Sequence, residues 1–206
     1  MDFDRVAAHD AAAVTGEERE AAIVVPVVTR AEDEAVLFTK RADHLPDHPG
    51  QIAFPGGGRE PEDGGLLGTA LREANEEIGL DPKAVHIAGR LDDIRTITHY
   101  SVRPFVGRIP DREYLPSDEE VAEVIRLPVS ALTNPENYES EHRDHPHYGE
   151  VRLHFFYVDG YTVWGATARM LVQLLELATG WEMPPEPDRY AGPDDDLPER
   201  VQDEVS

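Results

Sequence analysis

Cysteine is missing from all 206 residues, which removes disulfides, thiolate zinc sites and a cysteine nucleophile together. Lysine is nearly missing as well: Lys40 and Lys83 are the only two, so almost all the positive charge is arginine. Nineteen lysines and arginines face 42 aspartates and glutamates, for a formal net charge of −23. Such a surface repels nucleic acid and anionic membranes, and neither is an expected partner. No apolar run is long enough to span a bilayer. The start, Met1-Asp-Phe-Asp-Arg-Val6, lacks the basic residues and apolar stretch of a signal peptide. The expected setting is the cytoplasm. An acid-rich, lysine-poor surface resembles those of halophilic proteins, which work in concentrated salt where screening relieves self-repulsion; the plainer reading is an acidic protein of ordinary salt.

What is present suits one domain with a sizeable core, since 40% of the residues are hydrophobic. Residues 4 to 20 mix apolar and charged positions at helical spacing and predict a short amphipathic helix. Strands are predicted over Ala21–Thr29, Ala35–Lys40, Val85–Asp93, Tyr100–Ile109 and Val121–Leu127, with a loop at Ile94–His99 and a helical turn at Val129–Leu132. A strand pair over Tyr138–His142 and Val151–Val158 brackets a His-rich loop. Helices are predicted at Leu66–Ile78, stopped by Gly79, and at Ala166–Thr179, stopped by Gly180. From Pro184 the chain turns to Pro, Asp and Glu, which predicts a loose tail over residues 184 to 206. Strands flanked by helices imply an α/β fold, a mixed sheet between helical layers.

The chemistry concentrates where Phe54-Pro-Gly-Gly-Gly-Arg-Glu-Pro-Glu-Asp63 runs into Leu71-Arg-Glu-Ala-Asn-Glu-Glu-Ile-Gly79. Glu73, Glu76 and Glu77 are spaced by three and four, so they share one helical face. Like charges so close repel, and a hard divalent cation such as Mg²⁺ relieves the repulsion. Mg²⁺ in turn suggests a phosphate substrate. In so acidic a chain, the same triplet also fits a merely solvated face.

The surrounding pattern resembles the Nudix box: a Gly, five residues, a Glu, seven residues, then Arg-Glu-aliphatic-any-Glu-Glu-any-Gly-aliphatic. Here Arg72 to Leu80 fit the helical half, while the residue eight before Arg72 is Gly64 and the acid stands one place earlier, at Asp63. The stretch from Leu37 to Gly57 resembles the extension that precedes the box in coenzyme A diphosphatases. Thr39, Arg41, Ala42, Gly50 and Phe54 to Gly57 fit, and Pro46 stands where that subfamily has an Arg. Trp164-Gly-Ala-Thr-Ala-Arg169 is similar to the same subfamily. The resemblance covers roughly residues 21 to 180.

The resemblance implies a Nudix α/β/α sandwich over residues 21–183; the chain's own pattern adds an N-terminal helical segment over 1–20 packed on it and a flexible acidic tail over 184–206. The resemblance implies a Mg²⁺- or Mn²⁺-dependent enzyme that cleaves a pyrophosphate bond in a small nucleoside-diphosphate-linked molecule. Coenzyme A or acyl-CoA is the expected substrate, giving 3′,5′-ADP and (acyl-)4′-phosphopantetheine. Action on ADP-ribose, dinucleotides or oxidised nucleotides is the alternative, and a non-catalytic nucleotide-binding module is a further one. It is compatible with a homodimer. Glu73, Glu76 and Glu77 are the expected metal ligands, and Glu73 binds metal or helps activate water. A carbonyl of the glycine turn, Gly57, adds a ligand, and Gly56 and Gly57 let substrate approach the main chain. Arg72 is expected to orient the carboxylates.

A base is expected on the loop Ser117-Asp-Glu-Glu-Val-Ala-Glu123. Glu120 is the choice because it directly precedes a strand; Glu119 and Glu123 are alternatives, and so is a solvated carboxylate. Arg41 and Lys40 are candidates for phosphate contacts, against surface salt bridges. His142, His145, His147 and His154 read as exposed loop histidines more readily than as a zinc site. Trp164 reads as a structural anchor for the last helix.

Overall fold

The computed structural model describes residues 1–17, 19–29, 33–96, 99–117, 119–145, 149–193, 195–198 and 200–201. Its centre is β1 (Arg19–Val28), whose residues from Ala21 to Val28 are all buried. A strand apolar at every position must be covered on both faces. Ala22, Val24 and Val28 pack with Ala70, Ala74 and Ile78 of α2 (Leu66–Ile78). Ile23, Val25 and Val27 point the other way, into a larger core with Leu171, Leu174 and Leu175 of α4 (Gly165–Ala178). This alternation makes the helix–sheet–helix sandwich that was expected.

β1 pairs in parallel with β7 (Tyr100–Ile109) along its whole length, from Arg19↔Tyr100 to Val28↔Ile109. On its other flank it pairs antiparallel with β4 (Gly56–Gly58) over Ala21 to Ile23, and with β2 (Ala35–Arg41) at Val27 and Val28. Pro26, which has no N–H to offer a ladder, lies between those two pairings. The sheet is completed by β3 (Ile52–Ala53) and β8 (Val121–Pro128) on β2, and by β5 (His86–Arg90) and β6 (Ile94–Arg95) on β7. α3 (Val129–Leu132) follows β8. A second sheet runs β11-β10-β9-β12, from β9 (Tyr138–His145), β10 (Gly149–Val158), β11 (Tyr161–Trp164) and β12 (Arg189–Ala191).

Three expectations need correction. The N-terminal helix is only α1 (Phe3–Ala8), capped by Asp2, and does not reach residue 20. Beyond it the carboxylates of Asp92 and Asp93 accept the N–H groups of Ala12 and Val14, which holds that stretch extended, and Arg19 and Glu20 open β1. Within the predicted loop at 94–99, Ile94 and Arg95 pair with Val102 and Ser101. The tail is not loose where it is described. Arg189–Ala191 adds a parallel strand to β9, and Val201 is fully buried. Arg152 donates to the carbonyls of Pro184, Pro185 and Glu186, and Arg143 to those of Asp195 and Asp196. Carbonyl acceptors do not depend on side-chain type, so a polar, Pro-rich segment can still be held by arginines beneath it. Residues 194, 199 and 202–206 of that segment lie outside the described residues.

Candidate active site

α2 buries its alanine stripe and turns Glu73 and Glu77 toward β4. It stops where Gly79 adopts the left-handed conformation (φ 64°) and its N–H returns to the carbonyls of Ala74 and Asn75. Glu77, only 8% exposed, accepts a hydrogen bond of 3.2 Å from the Gly56 N–H through Oε2. Gly56 has φ 150°, and a Cβ there would stand 2.4 Å from the Ala22 carbonyl oxygen. A Cβ on Gly57 would stand 2.6 Å from the Glu73 carboxylate. The glycines thus let main chain come against two of the three expected ligands.

Arg72 ties the group together. Its Nε and Nη2 donate to the two oxygens of Asp63 at 2.9 and 3.1 Å, and Nη2 also to the Gly58 carbonyl at 3.2 Å. Nη1 reaches Glu76 and Glu73, each at 3.0 Å. Asp63 in turn accepts from the Glu60 N–H and the Thr69 hydroxyl. Arg72 first, then these donors, hold the Asp63 carboxyl well below the usual carboxylate range. Burial pushes Glu73 up from its ordinary value, and Arg72 pulls it partly back. The sequence reading gave Asp63 no place in the site; its off-register position was the available signal.

Among the described residues, no three Asp, Glu or His side chains are gathered as a ready cation cage. Arg72 occupies Glu73 and Glu76, and the Gly56 N–H occupies Glu77. The donors nevertheless suit Mg²⁺ or Mn²⁺: they are hard oxygens, and the missing Cβ of Gly57 leaves main chain beside a carboxylate. Rotating Glu73 and Glu76 away from Arg72 would free them for a cation.

The other expected residues divide. The loop after β7 reaches the end of α2, where the Ser117 N–H donates to the Glu77 carbonyl at 2.8 Å. Glu119 and Glu120 follow on that loop, exposed, and the Glu120 carbonyl accepts from the Ala42 N–H. Glu123 instead accepts from the Tyr161 hydroxyl at 2.6 Å. Lys40, paired in register with Glu123, alternates with Val36 and Phe38, so it lies on the sheet face opposite α2. Arg41 sits at a register shift and donates from Nε to the Asp47 carbonyl at 3.3 Å, across the loop that leads to the glycines.

The two histidines of this group whose side chains are described, His142 and His154, have different surroundings. His154 is buried in β10 rather than exposed in a loop, with Nδ1 2.8 Å from the Tyr138 hydroxyl. Desolvation, with the charges of Arg152 and Arg169, lowers its pKa to about 4. His142 faces Glu150 at 2.7 Å. His147 and the His145 side chain lie outside the described residues. Trp164, half-buried, ends β11 and stands at the N-cap of α4.

Known proteins resemble this chain in sequence. The family model for the NUDIX domain matches residues 18–148. A protein of Enterobacter sp. (strain 638), described as the uncharacterized Nudix hydrolase NudL, is 41% identical over 160 residues, covering 76% of this chain and 81% of its own. A NudL of Yersinia pestis (strain Pestoides F) is 36% identical over 161 residues, covering 77% and 79%. Among solved structures, a NUDIX hydrolase from Alicyclobacillus acidocaldarius is 20% identical, with a TM-score of 0.47, over 58% of this chain and 83% of its own. On the family match and the two NudL relatives, the chain belongs to the Nudix hydrolases, which act on pyrophosphate bonds.

Proposed function

We propose that this enzyme cleaves the pyrophosphate of coenzyme A or an acyl derivative, releasing 3′,5′-ADP and (acyl-)4′-phosphopantetheine, with Mg²⁺ or Mn²⁺. The observation that carries the reading is the extension from Leu37 to Gly57. It forms one closed excursion: Arg41 N–H donates to the Gln51 carbonyl and Gly50 N–H to the Arg41 carbonyl. Stacking of Phe38 on Phe54, centroids 4.8 Å apart, fixes the return into the glycine turn. The subfamily-like residues therefore border the glycines that meet Glu73 and Glu77.

Glu73, Glu76 and Glu77 would hold the cation, joined by the Gly57 carbonyl. A bound cation would polarise the phosphorus–oxygen bond and acidify a water. Glu120, or its neighbour Glu119, would take the proton from that water. Arg41 would offer positive charge to the substrate phosphates from the neck of the excursion. Lys40 lies on the far face and supports a phosphate contact less well. Pro46 favours one rival, a Nudix pyrophosphatase of ADP-ribose, dinucleotides or oxidised nucleotides, because the subfamily arginine is absent there. All three box glutamates are retained, which opposes a non-catalytic module.

Among the described residues, no helix is long and apolar enough to cross a membrane. The acid excess supports work in concentrated salt, and a thermal midpoint rising from low to molar salt would support that part of the reading.

The deciding experiment incubates purified protein at high salt with Mg²⁺ or Mn²⁺ and coenzyme A, acetyl-CoA, ADP-ribose or nucleoside triphosphates, then identifies the products. Cleavage of ADP-ribose with coenzyme A left intact would sink the substrate assignment. Glu77→Gln should lower turnover by at least about a hundredfold with the fold intact. Near-normal turnover at saturating Mg²⁺ would remove Glu77 from the ligand set.

A further inference from the structure

The loop that carries Glu119 and Glu120 is tethered on both sides and at Glu120 itself. Before it, the Ser117 N–H donates to the Glu77 carbonyl near the end of α2, at 2.8 Å. Within it, the Glu120 carbonyl accepts from the Ala42 N–H, also at 2.8 Å. Just after it, Glu123 Oε1 accepts from the Tyr161 hydroxyl at 2.6 Å. The first two tethers join main chain to main chain and do not depend on side-chain type. The third joins side chains from two different sheets, so one substitution can cut it.

The two partners of that bond differ in firmness. Tyr161 opens β11 directly after Asp159 and Gly160, both with positive φ, 54° and 84°. Val158 pairs with Tyr161 across them, a two-residue hairpin whose turn fits the twist of its strands. Thr162 and Val163 are buried next in line, and Tyr161 packs on the larger core. Glu123, by contrast, is exposed on β8. That strand is irregular here. Lys40 pairs with Glu123, but Arg41 pairs with Val121, so Ala122 is an extra residue in the ladder. A bulge of this kind bends its strand and shifts by one place which way the preceding side chains face. It lies between the tether at Glu123 and the loop with Glu119 and Glu120.

We propose that Tyr161 is a positioning residue: by holding Glu123 beside the bulge, it fixes the angle at which the loop brings Glu120 and Glu119 to the site. The role rests on the reading that one of those two glutamates takes the proton from the attacking water. Glu123 is then the handle of the loop and not the base. Its hydrogen bond also pushes the Tyr161 hydroxyl up from its ordinary pKa, so Tyr161 stays the donor at neutral pH.

The test measures kcat, KM and the thermal midpoint with Mg²⁺ and coenzyme A. Tyr161→Phe keeps the ring and removes the donor. It should lower kcat by about fivefold to tenfold, with KM within about twofold and a midpoint within about 3 °C. Glu123→Ala should do the same. The double variant Tyr161→Phe/Glu123→Ala should be no slower than either single one, because both changes cut the same bond. Glu123→Gln keeps an acceptor for the hydroxyl and should stay within about threefold of the wild-type kcat. A Tyr161→Phe protein with wild-type kcat overturns the proposal, and so does an additive loss in the double variant. A Glu123→Gln protein as slow as Glu123→Ala also overturns it, because the charge of Glu123 then matters and its tether does not. Glu119→Gln and Glu120→Gln test the base reading by themselves. If neither lowers kcat, that reading fails and the proposal falls with it; if either does and Tyr161→Phe does not, the proposal alone fails. A wild type that spares coenzyme A but cleaves ADP-ribose ends the substrate reading, and the same variants then decide the proposal on ADP-ribose.

Discussion

Gly57 lies so close to Glu73 that a methyl group at position 57 would stand 2.6 Å from the carboxylate carbon. What it would strike is the free end of a flexible side chain, which can move aside. At Gly56 the same methyl would strike β1 main chain, 2.4 Å from the Ala22 oxygen and 2.5 Å from the Ile23 Cα, with φ at 150°. The two alanine variants should therefore fail differently. Gly57→Ala should fold with a midpoint within about 3 °C of wild type and lose activity at least about tenfold, because Glu73 is displaced. Gly56→Ala should lose roughly 2–3 kcal/mol, lowering the midpoint by about 5–10 °C. Thermal scans beside turnover measurements check both, and a fully active Gly57→Ala would separate Glu73 from the chemistry.

His154 should make the protein sensitive to mild acid. Its imidazole is buried against the Tyr138 hydroxyl, and its pKa falls to about 4. The unfolded imidazole titrates near 6.5. Above that pH neither state takes up a proton there, so His154 adds no pH dependence. As pH drops from 6.5 toward 4, the unfolded state gains a proton that the folded state refuses, and stability is lost. From pH 7 to pH 5 the loss is roughly 2 kcal/mol. Urea unfolding at both pH values should show His154→Gln weaker than wild type at pH 7 but losing less on acidification. Equal losses in the two proteins would place the acid sensitivity elsewhere.

The segment after Met183 should matter for stability despite its composition. Glu141 is 1% exposed and bonded to both Arg143 and Arg189. Truncation after Met183 removes Arg189, leaves Arg152 without its carbonyl acceptors and uncovers the Val201 site. Losing one partner of a buried carboxylate costs about 3 kcal/mol, or roughly 6–12 °C in a chain of this size. A truncated protein that melts with the full chain would restore the picture of a loose tail.

The parts that could be read from sequence share a cause. β1 announces itself because both its faces need burial, so Ala21 to Val28 are apolar without a break. α2 announces itself through Ala70, Ala74 and Ile78 at intervals of four and the glycine that stops it. What escaped depended on partners distant in the chain. Arg19 and Glu20 look helical alone and become strand only opposite Tyr100 and Ser101. The tail is held by arginines gripping carbonyls, which leave no trace in its own sequence. The face of Lys40 was legible by simple alternation with Val36 and Phe38, yet proximity to the glycine loop suggested otherwise. For the site, the helical half of the box named the glutamates, whereas the Asp63–Arg72 fork needed the path of the loop between them.

Position 46 offers the sharpest test of substrate. Pro46 is exposed in the excursion that Arg41 closes by donating to the Asp47 carbonyl. The coenzyme A subfamily has an arginine at this place, and the excursion borders the glycine turn. If coenzyme A is the substrate and position 46 faces its phosphates, Pro46→Arg supplies a guanidinium that can grip a phosphate with two parallel hydrogen bonds. KM for coenzyme A should then fall by about threefold to tenfold while kcat holds, because the new contact is made equally in ground and transition states. The substitution also frees the main chain in the unfolded state, so a midpoint lower by a few degrees is expected and must be measured first. Raising the salt should shrink the KM gain as the ionic contact is screened. A KM unchanged at low and high salt would mean that residue 46 faces away from the substrate, or that Arg41 or Arg59 already supplies the charge; Arg41→Ala and Arg59→Ala on the Pro46→Arg background would then separate the two.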